Sequence, residues 1–177
     1  MLHQETMDLI SRMFSYLVAD IPWRDKGLRI TQTYVPVLDW TVIPTWHKTD
    51  FAGVPVQVFP VLHGRNYTSL GFAIGHHPGD FVYISDVSEI PADTMGYLES
   101  IAPIHRFVID ALSNEPHGTH FHLDAAMQVI AHLKPRKAFL TGLVSCHFGF
   151  HDDFERKLQV LNPDVHVAFD GLYFDIL

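Results

Sequence analysis

Hydrophobic positions change their period partway along the chain. In ETMDLISRMFSYLV, Met7, Ile10, Phe14 and Leu17/Val18 fall on one stripe at helical spacing, which predicts an amphipathic helix ended by Asp20-Ile21-Pro22. After a polar stretch through Gln32 the repeat shortens. YVPVLDWTVI reads as a strand whose Pro36 suggests an edge or a strand start. Gly53 marks a turn, and VPVQVFPVLH then sets Val54, Val56, Val58 and Pro60 on one face at period two. SLGFAIG and FVYIS are short strands joined by HHPGD, with Pro and Gly in hairpin position. From there helices and strands alternate. PADTMGYLESI starts on a proline suited to a first helical turn, RFVIDAL is a strand of buried type, and FHLDAAMQVIAHL is a helix stopped before Lys134-Pro135. KAFLTG is another buried strand, and DDFERKLQVL is a helix with Asp152 and Asp153 at its positive end. VHVAF, Asp170-Gly171 and LYFDI predict a closing hairpin with a type I′ turn. Strands first and helix–strand alternation later point to a mixed α/β sandwich, and with no repeat or linker residues 1–177 read as one domain.

Composition narrows the function classes. The 177 residues can bury a sizeable core, and the net charge of -8 comes without any Lys/Arg cluster, which argues against a nucleic-acid-binding surface. A single cysteine, Cys146, excludes an internal disulfide and a thiolate zinc cage; it reads as a small buried filler. No basic stretch followed by an apolar core opens the chain and no run is long enough to span a bilayer, so the expectation is a cytoplasmic protein.

The 13 histidines outnumber the 12 Lys plus Arg, and they concentrate after Leu62 near predicted strand ends. The strand PVQVFPVLH ends on His63, FVYIS runs into Asp86, and KAFLTG leads to a loop with His147 and His151. Imidazole and carboxylate together suit zinc, manganese or iron better than copper(I), and a carboxylate can bridge two ions. Each residue also has a plainer reading. His63 before Gly64 suits a turn, Asp86 and Ser85 are good helix caps, and His151 beside two aspartates suits a helix start. His76 and His77 read as exposed turn residues, and His3, His47, His105, His132 and His166 as helix or loop residues. PHGTHFHLD holds a further cluster, in which Thr119 is a candidate cap and His120 and His122, at or just before a helix's first turn, are candidates for a general acid; a merely His-rich loop reads equally well.

VLHGRNYTSLGFAIG, YISDVSEIP, THFHLDAAMQVIAHLKPRKAFLTG and the terminal FDGL, in that order, resemble the metallo-β-lactamase superfamily. The branch is the one holding the phosphonate-pathway cyclic phosphodiesterase, its eukaryotic relatives and, more distantly, tRNase Z. The resemblance implies an α+β fold, a four-layer αββα sandwich with a two-metal site at one edge of its sheets. It makes His63 a metal ligand, Asp86 the bridging carboxylate and catalytic centre, and His120 a general acid. The last ligand follows the strand KAFLT, where this chain has Gly142; His147 corresponds best and His151 is second.

The family's first motif, H-x-H-x-D-H, is missing, so the sequence looks like an N-terminally truncated form, the C-terminal two-thirds of such a protein. Two functions follow as expectations. One is a metal-dependent hydrolase of a small phosphodiester, its di-metal site incomplete in this chain and its zinc or manganese weakly held or absent. The other is a non-catalytic module used for protein association; a single-metal binding protein is a weaker third. Unpaired sheet edges imply a homodimer or pairing with another chain.

Overall fold

The computed structural model describes residues 2–18 and 38–175. The chain divides into two compact units, Met1–Pro44 and Thr45–Leu177. In the first, the expected helix is split into α1 (Gln4–Met13) and α2 (Ser15–Val18). The break is at Phe14, whose backbone leaves helical values (φ -130°) while its N–H still bonds the Ile10 carbonyl at 2.7 Å. Residues 20–22, expected to end that helix, lie outside the described residues, as do 34–37 of the expected strand. Its remainder, 38–43, forms no strand and holds only one bridge, Leu2 to Val42.

The second unit carries a seven-stranded sheet ordered as the chain runs: β1 (Lys48–Phe51), β2 (Val54–Leu62), β3 (Thr68–Ile74), β4 (Phe81–Ile84), β5 (Arg106–Asp110), β6 (Lys137–Thr141) and β7 (Val165–Val167). The pairings β1 to β4 are antiparallel and those from β4 to β7 parallel. Each parallel crossover carries helix: α3 (Ala92–Ser100), α4 (Leu123–Leu133), and α5 (Ser145–Phe148) with α6 (His151–Leu161). This is the switch of rhythm visible in the sequence, because a parallel pair needs a crossover long enough to return the chain. One helix layer on one sheet is half of the expected αββα arrangement.

Register puts one face of the sheet into the core. Ala73, Val82, Phe107, Ala138 and Val165 form one row across β3–β7, and Ile84, Ile109, Leu140 and Val167 the next. Leu98 of α3, Ala126, Ile130 and Leu133 of α4, and Phe154 and Leu158 of α6 close over these rows. On β2 the residues in this core are Phe59 and Val61, so the face expected from Val54, Val56 and Val58 is the opposite one. The period-two signal was real but both faces are apolar here, and Val58 is as fully buried as Phe59. Phe59 lies across β3 at Gly71, where an added Cβ would stand 2.1 Å from its ring.

No closing hairpin forms among the described residues; Ile176 of the expected LYFDI strand lies outside them. β7 joins the sheet parallel to β6, and Leu172–Asp175 form no strand. The turn at Asp170-Gly171 is closed by Leu172 N–H to the Phe169 carbonyl at 3.0 Å, and only Gly171 has a positive φ. A type I′ turn needs positive φ at both central residues. Instead, Phe174 packs on the second face of the sheet, 5.4 Å from the Phe81 ring and 4.8 Å from Phe139, with the Arg106 guanidinium 5.6 Å from its centre.

Candidate active site

Because β2, β4, β5, β6 and β7 all run in one direction, their C-terminal ends share one edge of the sheet. Side chains just past those ends sit on a rigid support with room beyond them. Beyond the reach of β1, the edge of β2 is taken over by the segment that follows β4. Leu62 exchanges hydrogen bonds with Ser88 and Glu89 (2.7–3.3 Å), and Ser88 Oγ accepts from Gly64 N–H at 2.8 Å. This brings His63 beside the Asp86 loop. The segment before α4 is stitched in the same way: Phe121 N–H bonds the Val87 carbonyl at 2.6 Å, and Leu112 N–H bonds the Phe121 carbonyl at 2.8 Å. His120 is thereby delivered to the same place.

The result is a cluster of His63, Asp86, Asp110, His117 and His120. The rings of His63 and His120 are 4.7 Å apart and those of His117 and His120 5.5 Å. His120 Nδ1 lies 2.6 Å from Asp110 Oδ2 and 3.9 Å from Asp86 Oδ1. Asp110 is buried and also accepts from Val87 N–H at 3.3 Å. Burial raises its pKa above the ordinary carboxylate range, against the opposing pull of His120 and the Val87 N–H. Its place is reserved by Gly142, where a Cβ would stand 2.6 Å from Asp110 Oδ1 on a backbone already at φ +75°. Asp86 is a left-handed residue (φ +53°), a conformation that aspartate tolerates better than most, and its carboxylate is exposed. It caps no helix: α3 begins at Ala92 after Pro91, which is the cap rather than a first-turn residue.

Other candidates fall elsewhere. Thr119 is not the cap of α4; His122 holds that position with no side-chain bond, and the Thr119 carbonyl instead accepts from His63 Nδ1 at 2.8 Å. His147 is on α5 with its carbonyl bonded by Asn114 Nδ2 at 2.7 Å, and its ring is 6.5 Å from Phe148. His151 opens α6, 3.3 Å from Asp152 and against Phe169. It lines a cleft of about 480 Å³ with Thr141, Gly142, Ser145, Phe150 and Asp170, none of which belongs to the histidine cluster. Among the described residues, no three His, Cys, Asp or Glu side chains gather closely enough to hold a metal ion. His63 and Asp86 suit a divalent ion in kind, since His63 Nε2 is left with its lone pair while Nδ1 is tied to a carbonyl. They do not suffice in number. Cys146 is exposed rather than buried. His166 joins Glu155 at 2.9 Å and His132 joins Glu99 at 2.6 Å, both away from the cluster.

Asp110 and His117 are cluster members that sequence reasoning missed, and Thr119, read as a helix cap, instead bonds His63 and His117. The signal for Asp110 was present: RFVID is an apolar run ending on a carboxylate, as FVYISD is.

The Beta-lactamase superfamily domain family matches residues 2–142. Among solved structures, a diphosphatase of the PhnP family is similar at 21% identity and TM-score 0.72, over 97% of this chain and 55% of its own. The metallo-beta-lactamase fold protein YhfI from Bacillus subtilis is similar at 15% identity and TM-score 0.58, over 75% and 54%. The short form of human tRNase Z (ELAC1) follows at 15% and 0.51, over 73% and 46%. The chain thus spans about half the length of these structures. No curated protein matches the sequence. Among the described residues no helix is long and apolar enough to cross a membrane.

Proposed function

The chain belongs to the beta-lactamase superfamily, and on that premise we propose that it serves the hydrolysis of a small phosphodiester. The observation that carries this is the Asp110–His120 pair, 2.6 Å long, at the sheet edge beside His63 and Asp86. A buried carboxylate bonded to Nδ1 orients the imidazole, leaving Nε2 to give a proton to a departing oxygen. His120 is the general acid in this reading and Asp110 its positioning residue. His63 and Asp86 are assigned to a divalent cation, zinc or manganese; His147 and then His151, the sequence candidates for a further ligand, do not group with them among the described residues. The remaining ligands must come from outside the described residues, so the step this chain carries itself is proton donation. A diphosphatase and a tRNase among the similar structures support a phosphoryl substrate, and the tRNase a phosphodiester. The net charge of -8 favours a small substrate over a nucleic acid.

The test is hydrolysis of bis-p-nitrophenyl phosphate with added manganese or zinc. The chain alone is expected to show little or no turnover. Expressed with a segment or partner that supplies H-x-H-x-D-H, it should turn over, and His120→Ala should then lose roughly 10²–10⁴-fold in kcat. Turnover unchanged by that substitution sinks the role of His120.

A second reading is favoured by the lack of any three-ligand group among the described residues. In it the fold is kept as a non-catalytic module for protein association. Elemental analysis separates the two: the module binds no stoichiometric metal under any of these conditions.

A further inference from the structure

One residue, Thr119, touches two of the three clustered imidazoles through groups of opposite character. Its carbonyl lies 2.8 Å from His63 Nδ1. A carbonyl can only accept, so the His63 proton is on Nδ1 and the lone pair on Nε2. Its backbone N–H points at His117 Nδ1 at 3.4 Å, and its hydroxyl is 3.2 Å from the same nitrogen. An amide N–H can only donate, so His117 carries its lone pair on Nδ1 and its proton on Nε2. The hydroxyl then donates as well. His120 stands between them, with its own Nδ1 tied to Asp110.

The geometry points to a division of labour. We propose that Thr119 fixes opposite tautomers in His63 and His117, and that the Nε2–H of His117 is a substrate-positioning donor to an anionic phosphoryl oxygen. The tautomer half stands on the hydrogen bonds alone; the ligand half rests on the phosphoester reading above. Two features separate His117 from its neighbours. Its only lone pair is already engaged by Thr119, so it is the imidazole least suited to hold a cation. It is also an exposed residue, and its ring stays 5.5 Å from that of His120. An N–H there is complementary to the charge of a phosphoester held against His120.

The experiment is long-range ¹H–¹⁵N correlation of the ring nitrogens of the full chain, above the pH range in which imidazoles titrate and without added metal. His63 should show the Nδ1–H pattern and His117 the Nε2–H pattern. Thr119→Val, which keeps the backbone groups and removes the hydroxyl, should move His117 toward a mixture and leave His63 unchanged. Inorganic phosphate is then titrated in. The His117 Nε2–H signal should shift saturably, and His117→Ala should weaken phosphate binding, read at His120, by about tenfold or more, as for one hydrogen bond to a charged group. Matching tautomers in His63 and His117 would overturn the role of Thr119. A phosphate titration that moves His120 but not His117 would overturn the role of His117 and leave the phosphoester reading standing. A titration that moves none of the three rings overturns both.

Discussion

Asp110 shows how burial and pairing compete at a single carboxylate. Desolvation is the larger effect and raises its pKa, while His120 and the Val87 N–H pull it down. The sign for stability follows. A raised value in the folded state means that folding favours the protonated form. The stabilisation is complete below the unfolded carboxylate pKa and is lost as pH rises through the folded one. Above that window the buried charge is a cost, which the proposed role of His120 would explain. The D110N variant cannot ionise, so it should escape this loss. Thermal unfolding followed from acid to neutral pH should show the wild type falling relative to D110N as pH rises. In the complemented enzyme the same variant should be slower, through the altered His120. If the two unfolding curves run parallel across the range, Asp110 is not a buried charge held at a cost.

At the scale of elements, the sequence was most legible where period and position agree. The switch from antiparallel hairpins to helical crossovers was readable because each helix from α3 to α6, except the short α5, has its own apolar spacing and a strand of buried type beside it. His63, Asp86 and His120 were readable as strand-end or helix-start residues, and the structure brings these three together. What was not readable was set by partners distant in sequence. Phe59 and Val61 face the core because Gly71 across the pair leaves room for a ring, which no pattern within β2 reveals. The closing hairpin failed for a similar reason. Its apolar alternation was real, but Val165 and Val167 found a parallel partner in β6, and the tail that followed went to the other face of the sheet. Phe174 is then the anchor of that tail. Phe174→Ala should destabilise the fold by about 1–2 kcal/mol, the scale of a half-buried aromatic with ring contacts. A drop in the thermal midpoint would register it. An unchanged midpoint would mean that the tail lies on the sheet without holding it.

For the whole molecule, association through unpaired sheet edges concerns the two outer strands, and each carries a feature that discourages pairing. β1 carries Lys48 and Asp50, charged residues that discourage edge pairing. At β7 the Val167 N–H is already bonded by Glu155 Oε2 at 2.6 Å. The apolar surface left in water is made of side chains instead. Val160 and Leu161, at the end of α6, are 86% and 78% exposed. If a twofold pair covered them on both protomers, the four side chains would contribute about 6–12 kcal/mol. Association itself costs about 4–15 kcal/mol, so the two ranges overlap, and we propose a dimer weak enough to dissociate on dilution. Sedimentation velocity should therefore show an average mass that rises with concentration. Replacing both residues with lysine should hold the chain at its monomer mass throughout. A wild-type chain that stays monomeric at every concentration would leave α6 as a solvated helix end, and any partner would then have to engage another surface.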